Sequence, residues 1–295
     1  MFEVFGIPSQ ALFGQLLLGL INGSFYALLS LGLAVIFGML NIINFTHGAQ
    51  YMMGAFAAYL LLQYTGIGYW GALFIAPIVI GATGVLIERF LLKHLRKLDP
   101  LYGLLLTFGL ALIIEGLFRN AYGSSGQPYQ VPDALQGGRN LGFMFLPNYR
   151  AWVIAFSLVA CLSTWFAIER TRLGSYLRAA TENPVLARAF GINVPRMVTL
   201  TYGFGVGLAG LAGVMAAPIY NVSPQMGSDL IIVVFAVVVI GGMGSIMGAI
   251  ITGFALGVIE GLTKVFYPEA SNTVIFVIMA IVLLVRPAGL FGRNA

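Results

Sequence analysis

The chain has 295 residues, 59% of them hydrophobic and only 8% charged. A soluble domain carries about 25% charged residues, so this composition excludes one and calls for a bilayer. The formal charge of +5 comes from short basic loops, which bear on orientation in the membrane rather than on nucleic acid. Strand-like alternation is absent, which excludes an outer-membrane barrel. The single cysteine, Cys161, lies in an apolar run and excludes an intrachain disulfide. Met1-Phe2-Glu3 lacks the basic start of a cleavable signal peptide, so the first span is expected to be retained.

No Lys or Arg precedes Arg89, so the turns before it are expected outside or buried. Residues 12–40 read as a first span interrupted at Asn22-Gly23-Ser24. A polar knot follows, Asn41-Ile42-Ile43-Asn44-Phe45-Thr46-His47-Gly48-Ala49-Gln50, and then an apolar run to about 62. With Asn44 or Thr46 as cap, a helix starts there with its positive end toward the knot. Non-helical backbone at membrane depth is tolerated only against protein or a water-filled cavity. The knot therefore reads as a broken helix lining a path, or else as a short inner-surface turn.

Residues 69–92 form a span ending in the basic cluster Arg89, Lys93, His94, Arg96, Lys97. Asp99-Pro100 caps a helix over about 101–120, which carries Glu115 and Arg119 four apart. Residues 121–149 are turn-rich and external, and 150–168 is the returning span. The stretch 169–197 is compact and charged, with Arg170, Arg172, Arg178, Arg188, Arg196, Glu169 and Glu182. Asn183-Pro184 is a strong helix start and Gly191 a stop, predicting two short helices, about 172–181 and 184–190, joined at an elbow. From the residues alone, this is either an amphipathic loop on anionic lipid or a docking element for another protein.

The span 197–218 is rich in glycine, which permits close helix approach. Residues 228–265 are broken by Gly241-Gly242-Met243-Gly244-Ser245. With the basic clusters inside, alternating crossings require this stretch to go in and come back, as a re-entrant hairpin with glycines at its tip. The last span, about 272–287, ends near Arg286 and Arg293. Gly32-Leu33-Ala34…Gly38 recurs as Gly207-Leu208-Ala209…Gly213, a pattern of the kind seen in inverted-repeat transporters. The fold expected is a single all-α polytopic membrane domain over 1–295, with about eight transmembrane helices, broken or re-entrant segments and a candidate inverted repeat.

No phosphate-binding Gly-x-x-x-x-Gly-Lys-Ser/Thr is present, so the chain holds no ATPase site of its own. His47, His94 and Cys161 give no metal cluster, and no cofactor is expected. Asp99, Asp133 and Asp229 are isolated and fall near predicted span ends. Glu115/Arg119 and Glu260/Lys264 read as interfacial ion pairs. Three classes compete: the membrane subunit of a pump whose ATPase is separate, an ATP-independent channel or secondary carrier, and a membrane enzyme. The docking segment favours the first, and the third lacks a catalytic constellation.

Four motifs then carry a likeness. Asn22-Gly23-Ser24-Phe25-Tyr26-Ala27-Leu28, Asn41-Ile42-Ile43-Asn44-Phe45-Thr46-His47-Gly48, Arg178-Ala179-Ala180-Thr181-Glu182-Asn183-Pro184…Gly191-Ile192-Asn193-Val194 and Val239-Ile240-Gly241-Gly242-Met243-Gly244-Ser245 together resemble the LivH-type permease of branched-chain amino-acid ABC importers. Arg178-Ala179-Ala180 stands where importers usually carry Glu-Ala-Ala, a departure usual in this branch. The resemblance implies import of branched-chain or other hydrophobic amino acids into the cytoplasm; urea, short amides and aromatic acids are the alternative substrates. It implies two cytoplasmic ATPase subunits, a second related permease (a different one or a second copy) and a periplasmic binding protein. The setting it implies is the bacterial inner membrane, with the N-terminus periplasmic and the C-terminus cytoplasmic. Coupling to the ATPases would fall to Arg178, Glu182, Asn183, Pro184, Arg188 and Gly191. The substrate path would be lined by Asn41, Asn44, Thr46, His47 and Gln50, with Asn22 and Ser24 above and Gly241, Gly242, Gly244 and Ser245 opposite. Their role would be transient hydrogen bonding to a zwitterion.

Overall fold

The structure is a computed structural model that describes residues 3–4, 7–40, 43–95, 98–142 and 144–292. Asn41, Arg96, Lys97 and Arg293 lie outside the described residues. After the two short strands β1 (Glu3–Val4) and β2 (Ile7–Pro8), the chain is helical almost throughout. The helices are α1 (Ser9–Leu40), α2 (Thr46–Leu60, prolonged by a π turn Leu61–Thr65), α3 (Tyr69–Ile87, prolonged through Glu88–Leu92 into α4, Lys93–Leu95) and α5 (Pro100–Tyr122). The hairpin β3 (Gly138–Asn140)/β4 (Phe145–Pro147) precedes α6 (Asn148–Glu169), α7 (Arg172–Glu182) and α8 (Pro184–Ala189). The chain closes with α9 (Val194–Tyr220), α10 (Met226–Gly241), α11 (Ile246–Phe266) and α12 (Val274–Val285).

Among the described residues, six helical stretches are long and apolar enough to cross a membrane: α1, α3–α4, α5, α6, α9 and α11. Helices α10 and α12 are apolar but shorter. Burial sorts them into layers. The most apolar stretch of α1 is 83% buried and that of α9 78%, against 11% for α5. So α1 and α9 form the centre, and α5 turns Leu105, Leu112, Ile113 and Leu117 outward, as a lipid-facing helix must.

What brings the central helices together is the absence of side chains. A Cβ on Gly213 would stand 2.0 Å from the Tyr51 carbonyl oxygen, and one on Gly54 2.2 Å from that of Gly210. Thus α2 and α9 cross backbone on backbone, which is how helices gain dispersion contact in lipid. Helices α1 and α11 run antiparallel, with Gly19 on Gly257, Gly23 on Gly253 and Gly38 near Gly244. Helices α3 and α9 repeat the arrangement, with Pro77 on Gly207 and Gly81 on Gly203. Helix α1 therefore lies on α11 as α9 lies on α3, the exchange that two inverted halves would make. The starts of α2 and α10 meet between them, Gly48 against Gly227.

One expectation changes here. Helix α1 runs unbroken through Asn22-Gly23-Ser24: Gly23 packs on the α11 backbone, Ser24 donates to the Leu20 carbonyl, and Asn22 finds distant partners. Gly253, Gly257 and Gly261 of α11 face α1, and Gly248 faces Gly241 at the end of α10. The hairpin predicted over 228–265 is present as α10, a turn and α11. At one end of the bundle lie α7, α8 and the α10–α11 turn, here called the basic end. At the other lie the β3–β4 hairpin and the antiparallel bridge Gln127–Val222, the loop end. Tyr129 in that loop is buried without a hydrogen-bond partner, and burial pushes its phenol up to about 12.

Candidate functional site

The polar knot is buried. Asn44, Thr46, His47 and Gln50 are all fully enclosed, as the reading of a break packed against protein requires. Helix α2 starts at Thr46 as expected, but neither Asn44 nor Thr46 caps it. Thr46 Oγ1 donates instead to the Thr107 carbonyl of α5 at 2.8 Å, and Asn44 Nδ2 donates to Gln50 Oε1 at 3.2 Å. His47 sits against Gly32, its Nε2 3.0 Å from the Leu29 carbonyl oxygen of α1, which makes that nitrogen the protonated one. Asn44 Oδ1 and His47 Nδ1 are buried with no partner, while Gln50 and the Tyr202 hydroxyl of α9 face each other. Unpaired polar atoms in a dry interior are costly, so this gathering of buried polar groups marks a place built for more than packing.

Asn22 belongs to a second network toward the loop end. Its Nδ2 donates to Glu260 Oε1 at 3.3 Å and its Oδ1 accepts from the Tyr220 hydroxyl at 2.7 Å. The Glu260 carboxylate also accepts from the Tyr26 hydroxyl at 2.7 Å and pairs with Lys264 at 2.5 Å. So α1 and α11 meet at one nearly buried carboxylate, and Asn22 extends the tie to Tyr220 of α9. The pair with Lys264 is legible from spacing; Tyr26 and Tyr220 are not, because more than two hundred residues separate Tyr26 from its partner. Glu115 and Arg119 form the other expected pair, at 2.5 Å. Ser24 is buried and spent on its own helix.

The glycine tip does not face the knot. Gly242 and Gly244 take positive φ of 100° and 83°, and Ser245 caps α11, accepting from the Gly248 amide at 3.1 Å. Residues beyond α12 fold back over it: the Leu290 amide donates to the Ile240 carbonyl and the Phe291 amide to that of Gly241. Gly241 is buried beneath this strap. Met243 to Met247 line a cavity of about 730 Å³ shared with Gly38, Glu169, Leu177, Arg178 and Glu182. The structure thus joins the tip to the segment predicted to couple, at the basic end. The cavity wall also includes Ala34 and Val35, close along α1 to Gly32, which His47 touches.

The segment 169–197 folds as its sequence dictates. Asn183 Oδ1 accepts from the Leu186 amide at 2.9 Å, Pro184 takes the first helical position, and Gly191 at φ 82° closes α8 through Ile192 N–H to Ala187 O at 3.0 Å. Gly174 lets α7 fold under α6: a Cβ there would lie on the Ile168 carbonyl oxygen, at 1.5 Å. Arg178 pairs with Glu169 at 3.3 Å. Glu182, Asn183, Pro184, Arg188 and Gly191 are exposed. So are Val185 (77%) and Phe190 (79%), which sequence reading passed over. Their exposure could have been suspected, since the i, i+5 spacing leaves no single apolar face. Among the described residues no group of His, Cys, Asp and Glu could hold a metal ion.

Comparison with known proteins agrees with this architecture. Residues 15–283 match the family model described as branched-chain amino acid transport system, permease component. The chain is 31% identical to the high-affinity branched-chain amino acid transport system permease protein LivH of Escherichia coli, over 95% of each chain. It is 30% identical to the permease BraD of Pseudomonas aeruginosa, again over 95% of each. The permease LivM of Escherichia coli is also related, at 30% identity over 90% of this chain and 67% of its own. With this helical bundle and these matches, the chain belongs to the permease family of branched-chain amino acid transport systems and is a multi-pass membrane transport subunit of the ABC class, without a catalytic domain.

Proposed function

We propose that this permease carries branched-chain or other hydrophobic amino acids into the cytoplasm of a bacterial cell, across the inner membrane. It works with two cytoplasmic ATPases, a second permease and a periplasmic binding protein. The observation that carries the reading is the elbow α7–α8. Two capped helices held rigid by Asn183, Pro184 and Gly191 present Val185, Phe190 and Arg188 outward at the basic end. An apolar and cationic knob of this kind is expensive to leave in water and suits a protein partner. On this reading the basic end, with the C-terminus, faces the cytoplasm and the N-terminus the periplasm.

The push on the elbow has a direct route into the bundle. Helix α7 shares the 730 Å³ cavity with the α10–α11 tip and the end of α1, so displacing α7 moves the walls of that cavity. Asn44, Thr46, His47 and Gln50 line the path above it, and Asn22 and Ser24 lie toward the periplasm. The related LivM-type permease of the same systems supports a heterodimer of two different permeases.

The test is uptake by the reconstituted complex with its binding protein. Pro184→Gly and Gly191→Val are expected to insert normally, hydrolyse ATP and lose most uptake. Wild-type uptake in both variants, or transport by the purified chain without ATPases, would overturn the reading.

A further inference from the structure

Asp229 lies at about mid-height of the bundle, where sequence reading placed it near the end of a span. It stands in the first turn of α10, two residues after the Gly48–Gly227 contact. That contact can be placed along α9. At 1.5 Å per residue α9 is about 40 Å long. Tyr51, three residues beyond Gly48, touches α9 at Gly213, about 28 Å from its basic end. His47, one residue before Gly48, packs on Gly32, which meets Gly205, about 16 Å from that end. Gly48, Gly227 and Asp229 therefore sit near the middle.

At that depth Asp229 is exposed, and no ion pair or side-chain hydrogen bond engages its carboxylate among the described residues. Ser228 and Ile232 share its uncovered face. Lipid cannot be what covers it, because an aspartate at mid-depth is among the costliest side chains to expose to hydrocarbon and by rule faces a bundle interior or a water-filled cavity. The same region supplies apolar surface: Phe235, two turns along α10 on the Ser228 side, lies 6.2 Å from the ring of Phe45, which also meets Phe108 at 6.1 Å. Half-buried aromatic rings about 9 Å along the helix from a bare carboxylate suit a small amphiphile that is cationic at one end and apolar at the other.

We propose that Asp229 lines the aqueous substrate path and takes the ammonium group of the transported amino acid, with Ile232 and the Phe45–Phe235 pair as the floor for its side chain. The assignment rests on the amino-acid import reading above and names the group that sets its specificity. The unpaired Asn44 Oδ1 lies beside the adjoining helix start.

The experiment uses the full complex in proteoliposomes with leucine as probe. Asp229→Asn is expected to assemble with the ATPases and to lower ATP-driven leucine uptake at least about tenfold, the effect of losing one charge-assisted hydrogen bond; Asp229→Glu should recover part of it. In a Cys161→Ala background that keeps Asp229, Ser228→Cys is expected to react with an anionic, membrane-impermeant methanethiosulfonate, more slowly when leucine is present in millimolar excess. Wild-type uptake by Asp229→Asn, absence of labelling, or labelling that leucine does not slow would each overturn the assignment while leaving amino-acid import standing. No leucine import by the wild-type complex would instead remove the reading beneath it.

Discussion

Glycine does two different jobs in this molecule, and the α2–α9 crossing and the elbow–tip region show them side by side. At the crossing, Gly54, Gly210 and Gly213 sit in ordinary helical backbone, and what matters is the missing Cβ. At the basic end, Gly191, Gly242 and Gly244 sit at φ of 82°, 100° and 83°. There, what matters is a backbone conformation that L side chains resist. The first use fixes how close the spans lie. The second fixes where the chain turns beneath them, next to the exposed elbow of α7 and α8. Gly191 and Gly213 look alike in composition and should respond to different substitutions.

The largest loss is expected at the crossing. Gly213→Ala forces a methyl group toward the Tyr51 carbonyl and should cost about 3 kcal/mol, the upper part of the overpacking range, read as thermal unfolding of the purified subunit in detergent. Glu260→Gln tests whether polar ties rival this packing in the same core. It keeps the shape of the carboxylate but weakens the contacts to Lys264, Tyr26 and Asn22, for about 2 kcal/mol by the same assay. Gly191→Asn should cost under about 1 kcal/mol, because asparagine visits the left-handed region with a local hydrogen bond. Gly213→Asn should behave at least as badly as Gly213→Ala. If the two asparagine variants are equally stable, the division between space and conformation is wrong. Smallest is Gly14→Ala on α1, where nothing lies within 4 Å of the new atom. It should gain up to about 1 kcal/mol of helix stability.

Local rules were legible in the sequence where the partners are local. Asp99-Pro100 and Asn183-Pro184 were readable as helix starts because cap and capped amide lie within three residues. The α10–α11 hairpin was readable from charge counting and its glycines, and the elbow from its caps. Reading failed where the partner is remote. Asn22-Gly23-Ser24 looks like a break until Glu260, Tyr220 and the α11 backbone are known to receive it. Thr46 looks like a cap until the Thr107 carbonyl takes its hydroxyl. The tip could not be placed beside Arg178 and Glu182, because its level depends on how far α10 descends from a start at mid-depth. For the same reason Asp229, which lies close in sequence to the end of α9, is far from that end in space.

The strap over the α10–α11 tip has a consequence for the order in which this protein is made. Leu290 and Phe291 supply the amides that occupy the Ile240 and Gly241 carbonyls, and Gly242 is hemmed in by Gly289 and Gly292. Those closing residues leave the ribosome some fifty residues after the turn they secure. A nascent chain halted before them would have its spans inserted yet would offer a frayed surface beneath. The underside of the bundle is thus finished only once residues 289–292 have been made, well after the turn at 242–245 that they cover.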